Sequence, residues 1–311
     1  MNVLVTGGAG FIGSYVVRDL AALGHDVVVY DLRPKSELLK KIIPPGQQKT
    51  IQFETGEITD QEAIVRVLKT HDIAFVVHLA YMLMEASELN PALAVRVNGQ
   101  GMTCLFEACL HQGVRRVVWG SSVAVFGDTD EYEQEILSGD AAYRPHTIYG
   151  ICKVFNEFLA KYYQQKGLPN VGLRFNLVYG PGRSLVHGTG AGFVSELIEK
   201  SALSEEWSSI PYGDDAMNWL YVEDAARAVG LALREESRCG IYTICGEYRS
   251  LRDVASLVKK IIPGANIRLQ PGRYGFSWKH DMKEALEAIG YWPQYSLEEG
   301  VSKNIDYVRR S

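Results

Sequence analysis

The chain has 311 residues, of which 47% are hydrophobic and 22% charged, and a net charge of −5. This length allows a large core in one two-lobed unit or in two domains, and the composition is that of an ordinary soluble globular protein. With no long basic run, nothing favours a nucleic acid or an anionic membrane surface as a partner.

The opening "NVLVT" (2–6) reads as a strand, and 11–23 as a helix ended by Gly24. "DVVVYD" (26–31) is the next strand and "TIQFETG" (50–56) a third, followed by a helix over 60–69 with Asp60 near its start. "IAFVVHLA" (73–80) is a continuous apolar run of the kind buried on both faces of a parallel sheet. A helix from about 91 to 112 follows, with Pro91 in its first turn; then strand 114–120, helix 148–166 and strand 170–176. This alternation implies right-handed crossovers and a parallel sheet covered on both faces. Beyond 177 glycine and proline punctuate the chain, with helix 222–235 and strand 240–245 returning to the sheet layer.

The expected fold is therefore α/β: a Rossmann-type doubly wound parallel sheet with a smaller C-terminal substrate-binding lobe. Residues 1–177 with 219–245 would form the dinucleotide-binding part, and 178–218 with 246–311 the lobe. The first residues, strand and turn, do not read as a secretory signal, and no apolar run reaches the ~18 residues of a membrane span. Five cysteines, odd in number and without C-x-x-C spacing, suit a reducing, cytoplasmic setting. The seven histidines show no ligand spacing, so no metal is expected.

Gly7, Gly10 and Gly13 stand between the first strand and the first helix. Glycine permits positive φ and a close approach to the backbone, and a helix N-terminus behind such a turn presents N–H groups to a pyrophosphate. Asp31, ending the second strand 18 residues past Gly13, is placed to accept from an adenosine ribose. Strand, triplet, helix, strand and acid in that order predict dinucleotide binding. Asp31 favours NAD, because it would repel a 2′-phosphate. Arg33, two residues on, is the group such a phosphate would use, and makes NADP the second choice.

"YGICK" puts Tyr149 and Lys153 on one face of a helix. An ammonium beside a phenol lowers the phenol's pKa from about 10, which suits acid/base work on a carbonyl–alcohol pair. The preceding strand delivers Ser121 and Ser122 to the C-terminal edge of the sheet, where open α/β folds bind ligands.

These motifs resemble the extended short-chain dehydrogenase/reductase family, the NAD-dependent epimerase/dehydratase group. The resemblance covers nearly the whole chain: "TGGAGFIG", Asp31, "GEITD", "VVHLAY", Asn98 in "VRVNGQG", "SSVAVFG", "YGICK", "RFNLVYGPGR" and "NWLYVEDAARA". It implies Ser122, Tyr149 and Lys153 as the catalytic set. Ser122 would bond the substrate oxygen, Tyr149 would pass the proton, and Lys153 would also hold the nicotinamide ribose. Gly7, Gly10, Phe11, Ile12 and Gly13 would cradle the pyrophosphate, with Asp31 and Arg33 at the ribose. Glu57 and Ile58 would border the adenine, and Leu79, Ala80 and Asn98 would lie beside the cofactor. Tyr81, Met82, Asn176, Arg183, His187 and Arg273 join Ser122 as substrate-side candidates.

Family dehydratases resemble one another in an Asp-Glu pair after the catalytic serine or threonine; here Val123 and Ala124 stand there, so dehydration is disfavoured. Nucleotide-sugar epimerases resemble one another in two diphosphate-clamping arginines, at positions held here by Met217 and Gln270. The expected function is thus an NAD(P)-dependent oxidoreductase. It would move a hydride between nicotinamide and a small polar alcohol or carbonyl such as a sugar, sugar acid, lactone or hydroxy-ketone. A nucleotide-sugar 4-epimerase with tightly bound NAD is the alternative, and a non-catalytic cofactor-binding sensor the alternative of another class. Helices 91–112 and 148–166 carry apolar residues on more than one face. Similar proteins pair such helices with those of a second copy, which predicts a homodimer.

Overall fold

The computed structural model describes residues 1–187, 192–203, 208–275 and 278–310. Seven strands form one parallel sheet: β1 (Asn2–Thr6), β2 (Asp26–Asp31), β3 (Ile51–Thr55), β4 (Phe75–His78), β5 (Arg116–Ser122), β6 (Asn170–Phe175) and β7 (Gly240–Ile244). Their order across the sheet is β3-β2-β1-β4-β5-β6-β7. The direction of winding reverses between β1 and β4, and in such sheets the crevice beyond the carboxyl ends of those strands is where ligands bind.

Strand periodicity decides which core each side chain joins. Val3 and Val5, Val27 and Val29, and Phe75 and Val77 point to one face, which α1 (Phe11–Ala22) covers. Leu4, Val28, Val76, Val117 and Trp119 point to the other, covered by α2 (Gln61–Thr70), α3 (Gly101–His111) and α4 (Ile148–Gln165). A further helix, α5 (Val222–Ala232), packs beside α1. A separate apolar cluster around Trp219, Leu197, Val254 and Val301 lies with a three-stranded sheet made by 177–179, 216–221 and 247–250.

The helix expected over 91–112 departs from one regular rod. Pro91–Ala94 is α-helical, Val95–Gln100 widens into a π-turn, and α3 resumes at Gly101. Gly99 and Gly101 sit in and just after the wide turn, where a Cβ at Gly101 would press on Ile58. The extra residue of a π-turn re-aims its neighbours. Here it carries Asn98 inward, fully buried.

The glycine turn is sterically tight. Gly7 has φ +70°, and a Cβ there would stand 2.5 Å from the Leu79 carbonyl carbon. A Cβ at Gly13 would collide with the Gly7 carbonyl oxygen. Gly13→Ala is therefore expected to lower the unfolding free energy by about 1–3 kcal/mol. Gly230→Ala, inside α5 with nothing within 4 Å of the added carbon, is expected to raise it by about 0.5–1 kcal/mol. Urea denaturation of both variants checks the pair.

Candidate active site

A cavity of about 780 Å³ opens over the ends of β1, β4 and β5. One end is lined by Gly7, Gly10, Phe11, Ile12 and Gly13 with Asp31, and continues to Glu57 and Ile58. The helix behind the turn starts at Gly10 with no side-chain cap and no acid in its first turn. An uncapped N-terminus facing a cavity suits an anionic group. The Asp31 carboxylate accepts from the Ala9 N–H at 3.3 Å and from the Arg33 N–H at 3.2 Å, which fixes it at the rim. These residues fit a dinucleotide: glycines where a Cβ would close the turn, a helix N-terminus for the pyrophosphate, and an acid for the ribose.

The other end of the cavity is walled by Leu79, Ala80, Tyr81 and Met82, then Ser122, Tyr149 and Lys153, then Asn176 and Arg183. Local sequence explains the central set. Thr147 caps α4 by accepting from the Gly150 N–H, which starts the helix just before Tyr149 and stacks Lys153 one turn on. Ser122 ends β5, where its hydroxyl accepts from the Ala124 N–H at 3.2 Å, and it lines the cavity together with Tyr149. Lys153 is buried and donates to the Gly120 carbonyl at 2.6 Å.

The electrostatics differ from the sequence expectation. Burial pushes the Tyr149 phenol up to about 12, with Ser122 opposing, rather than down. Burial also holds Lys153 well below the usual lysine range, so the cation that was to stabilise the phenolate is itself disfavoured. Its ammonium lies 5.4 Å from the Tyr149 ring centre and engages Gly120 and Tyr81 instead.

Three expected site residues stand elsewhere. Asn98 does not line the cavity: its side chain accepts from the Met82 N–H at 2.8 Å and donates to the Met82 carbonyl at 3.0 Å, clamping that segment from behind. The Arg33 side chain is outside the lining. Arg273 is exposed and pairs with Asp130 at 3.2 Å. The His187 side chain lies outside the described residues. Of those that sequence reasoning passed over, Arg96 and Val97 line the cavity, and Arg96 stands 3.6 Å from Glu57.

A buried ion pair beneath the site was also missed, although Glu157 follows Lys153 by four residues on α4. Glu157 accepts from the Arg174 guanidinium twice at 2.7 Å, from Ser121 at 2.6 Å and from Tyr143 at 2.7 Å. Arg174 also donates to the Gly139 carbonyl at 2.6 Å. Both charges are almost fully buried, so removing one strands the other. Arg174→Met is expected to cost about 3–5 kcal/mol of stability, and the double variant Glu157→Leu/Arg174→Met clearly less, both read by chemical denaturation.

Comparison with known proteins bears on this geometry. The model of the NAD-dependent epimerase/dehydratase family matches residues 3–245. A dTDP-glucose 4,6-dehydratase of Salmonella typhimurium is 28% identical, over 99% of this chain and 92% of its own. The trifunctional UDP-glucose 4,6-dehydratase, epimerase and reductase of Arabidopsis thaliana is 29% identical over all of this chain. This chain spans 47%, about half, of that relative's length. Among solved structures, a UDP-glucose 4-epimerase of Thermus thermophilus in complex with NAD superposes with TM-score 0.83. It shares 30% identity over 99% of each chain. Among the described residues, no helix is long and apolar enough to cross a membrane.

Proposed function

This chain belongs to the NAD-dependent epimerase/dehydratase family, and we propose that its site performs a net oxidation or reduction of a polar alcohol–carbonyl pair. It is an enzyme of the extended short-chain dehydrogenase/reductase type, in a family that depends on NAD. Bound NAD would supply hydride exchange at its nicotinamide ring. Gly7, Gly10, Phe11, Ile12 and Gly13 would hold its pyrophosphate, Asp31 its adenosine ribose, and Glu57 and Ile58 its adenine. Leu79 and Ala80 would lie beside it and Lys153 at the nicotinamide ribose.

The observation that carries the reading is the convergence of Ser122, Tyr149 and Lys153 on one wall of the cavity, with Lys153 one turn along the same helix as Tyr149. The substrate oxygen would accept from both hydroxyls. Tyr149 would then give its proton to that oxygen in reduction and take it back in oxidation, while Ser122 keeps the oxygen oriented. Dehydration needs a second acid beside these groups, and Val123 and Ala124 are buried and carry none.

A small polar substrate is favoured over a nucleotide-sugar. Met217 is buried in the lobe cluster, Gln270 bonds Ser209, and Arg273 is paired with Asp130. At that end of the cavity Arg183 is the lining cation besides Lys153, among the described residues. Sugars, sugar acids, lactones and hydroxy-ketones fit that description. One observation favours the epimerase reading: the Thermus relative, superposing over nearly the whole chain, is a UDP-glucose 4-epimerase. A panel of polar alcohols with NAD, followed by NADH absorbance, separates the two. Turnover of a small alcohol supports the proposal, and epimerisation of a UDP-hexose with no net NADH overturns it. In either case Tyr149→Phe is expected to lower kcat by about 10²–10⁴-fold with NAD affinity nearly unchanged.

The chain would work as a homodimer in a reducing, cytoplasmic setting. Ile151, Phe155, Phe158 and Tyr162 make an apolar stripe along α4 at helical spacing, each about half exposed. All five cysteines are free thiols. Light scattering is expected to give a mass near 69 kDa, twice the 34.6 kDa of one chain; a value near 35 kDa would refute the dimer.

A further inference from the structure

We propose that Tyr81 is a positioning residue for Lys153, its ring face seating the ammonium against the Gly120 carbonyl. The inference rests on the catalytic reading of Lys153 and adds to it a residue that the local motif does not contain.

Lys153 has an unusual environment. Its ammonium is buried, and among the described residues it forms no ion pair. The carboxylate nearest along the helix, Glu157, is already taken by Arg174, Ser121 and Tyr143. A buried cation without a carboxylate must be held by dipoles or by an aromatic face. Two such groups are present: the Gly120 carbonyl at 2.6 Å and the Tyr81 ring, whose centre lies 2.9 Å from the ammonium nitrogen. The other titratable groups facing it are Tyr149, Cys152 and Glu157 on its own helix and His78 on β4; Glu157 favours the charged lysine from a distance without pairing with it. Burial lowers His78 and raises Cys152 and Tyr149, so all three are neutral at ordinary pH and none supplies a counter-charge.

Tyr81 is itself fixed in place. The His78 ring packs against it, tilted by 57° with ring centres 4.5 Å apart, and His78 is anchored by a 2.7 Å hydrogen bond between its Nδ1 and the Thr6 hydroxyl. The next residue, Met82, is clamped through both its N–H and its carbonyl by Asn98 in the π-turn. The ring thus reaches Lys153 from a braced segment, which a cavity wall alone would not need.

The test separates the ring face from the hydroxyl and from packing. Tyr81→Phe keeps the face, and Tyr81→Leu removes it; should Leu not fold, Tyr81→Met is read in its place. A ¹³C-lysine NMR titration of the NAD-free chain reads the Lys153 ammonium without turnover. Tyr81→Phe is expected to keep the wild-type Lys153 midpoint. Tyr81→Leu is expected to lower the Lys153 midpoint by about one pH unit, a tenfold change in its protonation equilibrium, and to shift the pH profile of kcat in the same direction. If Tyr81→Leu titrates as wild type, changes only KM, or is matched by Tyr81→Phe, the proposal is overturned. Because the NMR midpoint does not depend on turnover, a chain inactive on every alcohol would sink the catalytic reading while leaving this contact measurable.

Discussion

The fold rests on one close contact, that of Gly13 with the carbonyl of Gly7. It lets α1 begin within hydrogen-bond distance of the strand it leaves, with the Gly10 N–H donating to that same Gly7 carbonyl at 3.0 Å. Gly7 then passes beneath Leu79 and Ala80, whose backbone emerges from β4 on the other side of the switch point. Neither approach tolerates a side chain. Two neighbouring strands and one helix N-terminus therefore meet at a point that only main chain occupies, and a ligand's phosphates can reach N–H groups there. The cavity follows from this contact, because a wider turn would carry the helix end away from β4 and from the residues beyond it.

On the far side of the cavity the same economy is achieved with charge. Lys153 and Glu157 project one turn apart from α4, and each holds a neighbouring residue at the end of β5: Lys153 takes the Gly120 carbonyl, Glu157 the Ser121 hydroxyl. Ser122, the next residue, thereby faces the cavity that Tyr149 also lines. Burying two ions is costly, and such a pair is kept in place by its complete set of hydrogen bonds rather than by attraction alone. Burial also decides the state of the phenol. Tyr149 at about 12 bears its proton at neutral pH in the free chain, the form that carbonyl reduction begins from.

Much of this was legible in the sequence because it is local. β-branched alternation placed the strands, and the glycine triplet with Asp31 picked out residues that line one end of the cavity. The Tyr149–Lys153 spacing put both side chains on one helix face. What escaped depends on partners far apart in the chain. Asn98 looked like a cofactor neighbour, yet a π-turn swings it onto Met82. Arg273 looked available to an anion, yet Asp130, 143 residues away, pairs with it. The lowered phenol pKa assumed that the lysine charge acts at full strength. Burial, which no spacing reveals, weakens that charge and raises the phenol.

Residues 270–275 and 278–280 bear on the proposal of a small substrate. They meet the residues that follow β5 through the Arg273–Asp130 pair, through pairing of Lys279–His280 with Ile136–Leu137, and through Trp278, whose indole donates to the Gly127 carbonyl at 3.0 Å. The Arg273 charge thus meets an acid just after the "SSVAVFG" run. A charge-assisted hydrogen bond contributes about 1.5–3 kcal/mol, and a diphosphate gains its affinity from several. Arg273 pairs with Asp130 at the surface and Gln270 bonds Ser209, while Arg183, which lines the cavity, donates to the Val178 carbonyl at 2.7 Å. A carboxylate or a polar sugar, as proposed above, would ask less of a single guanidinium than a nucleotide diphosphate, which gains from two arginines.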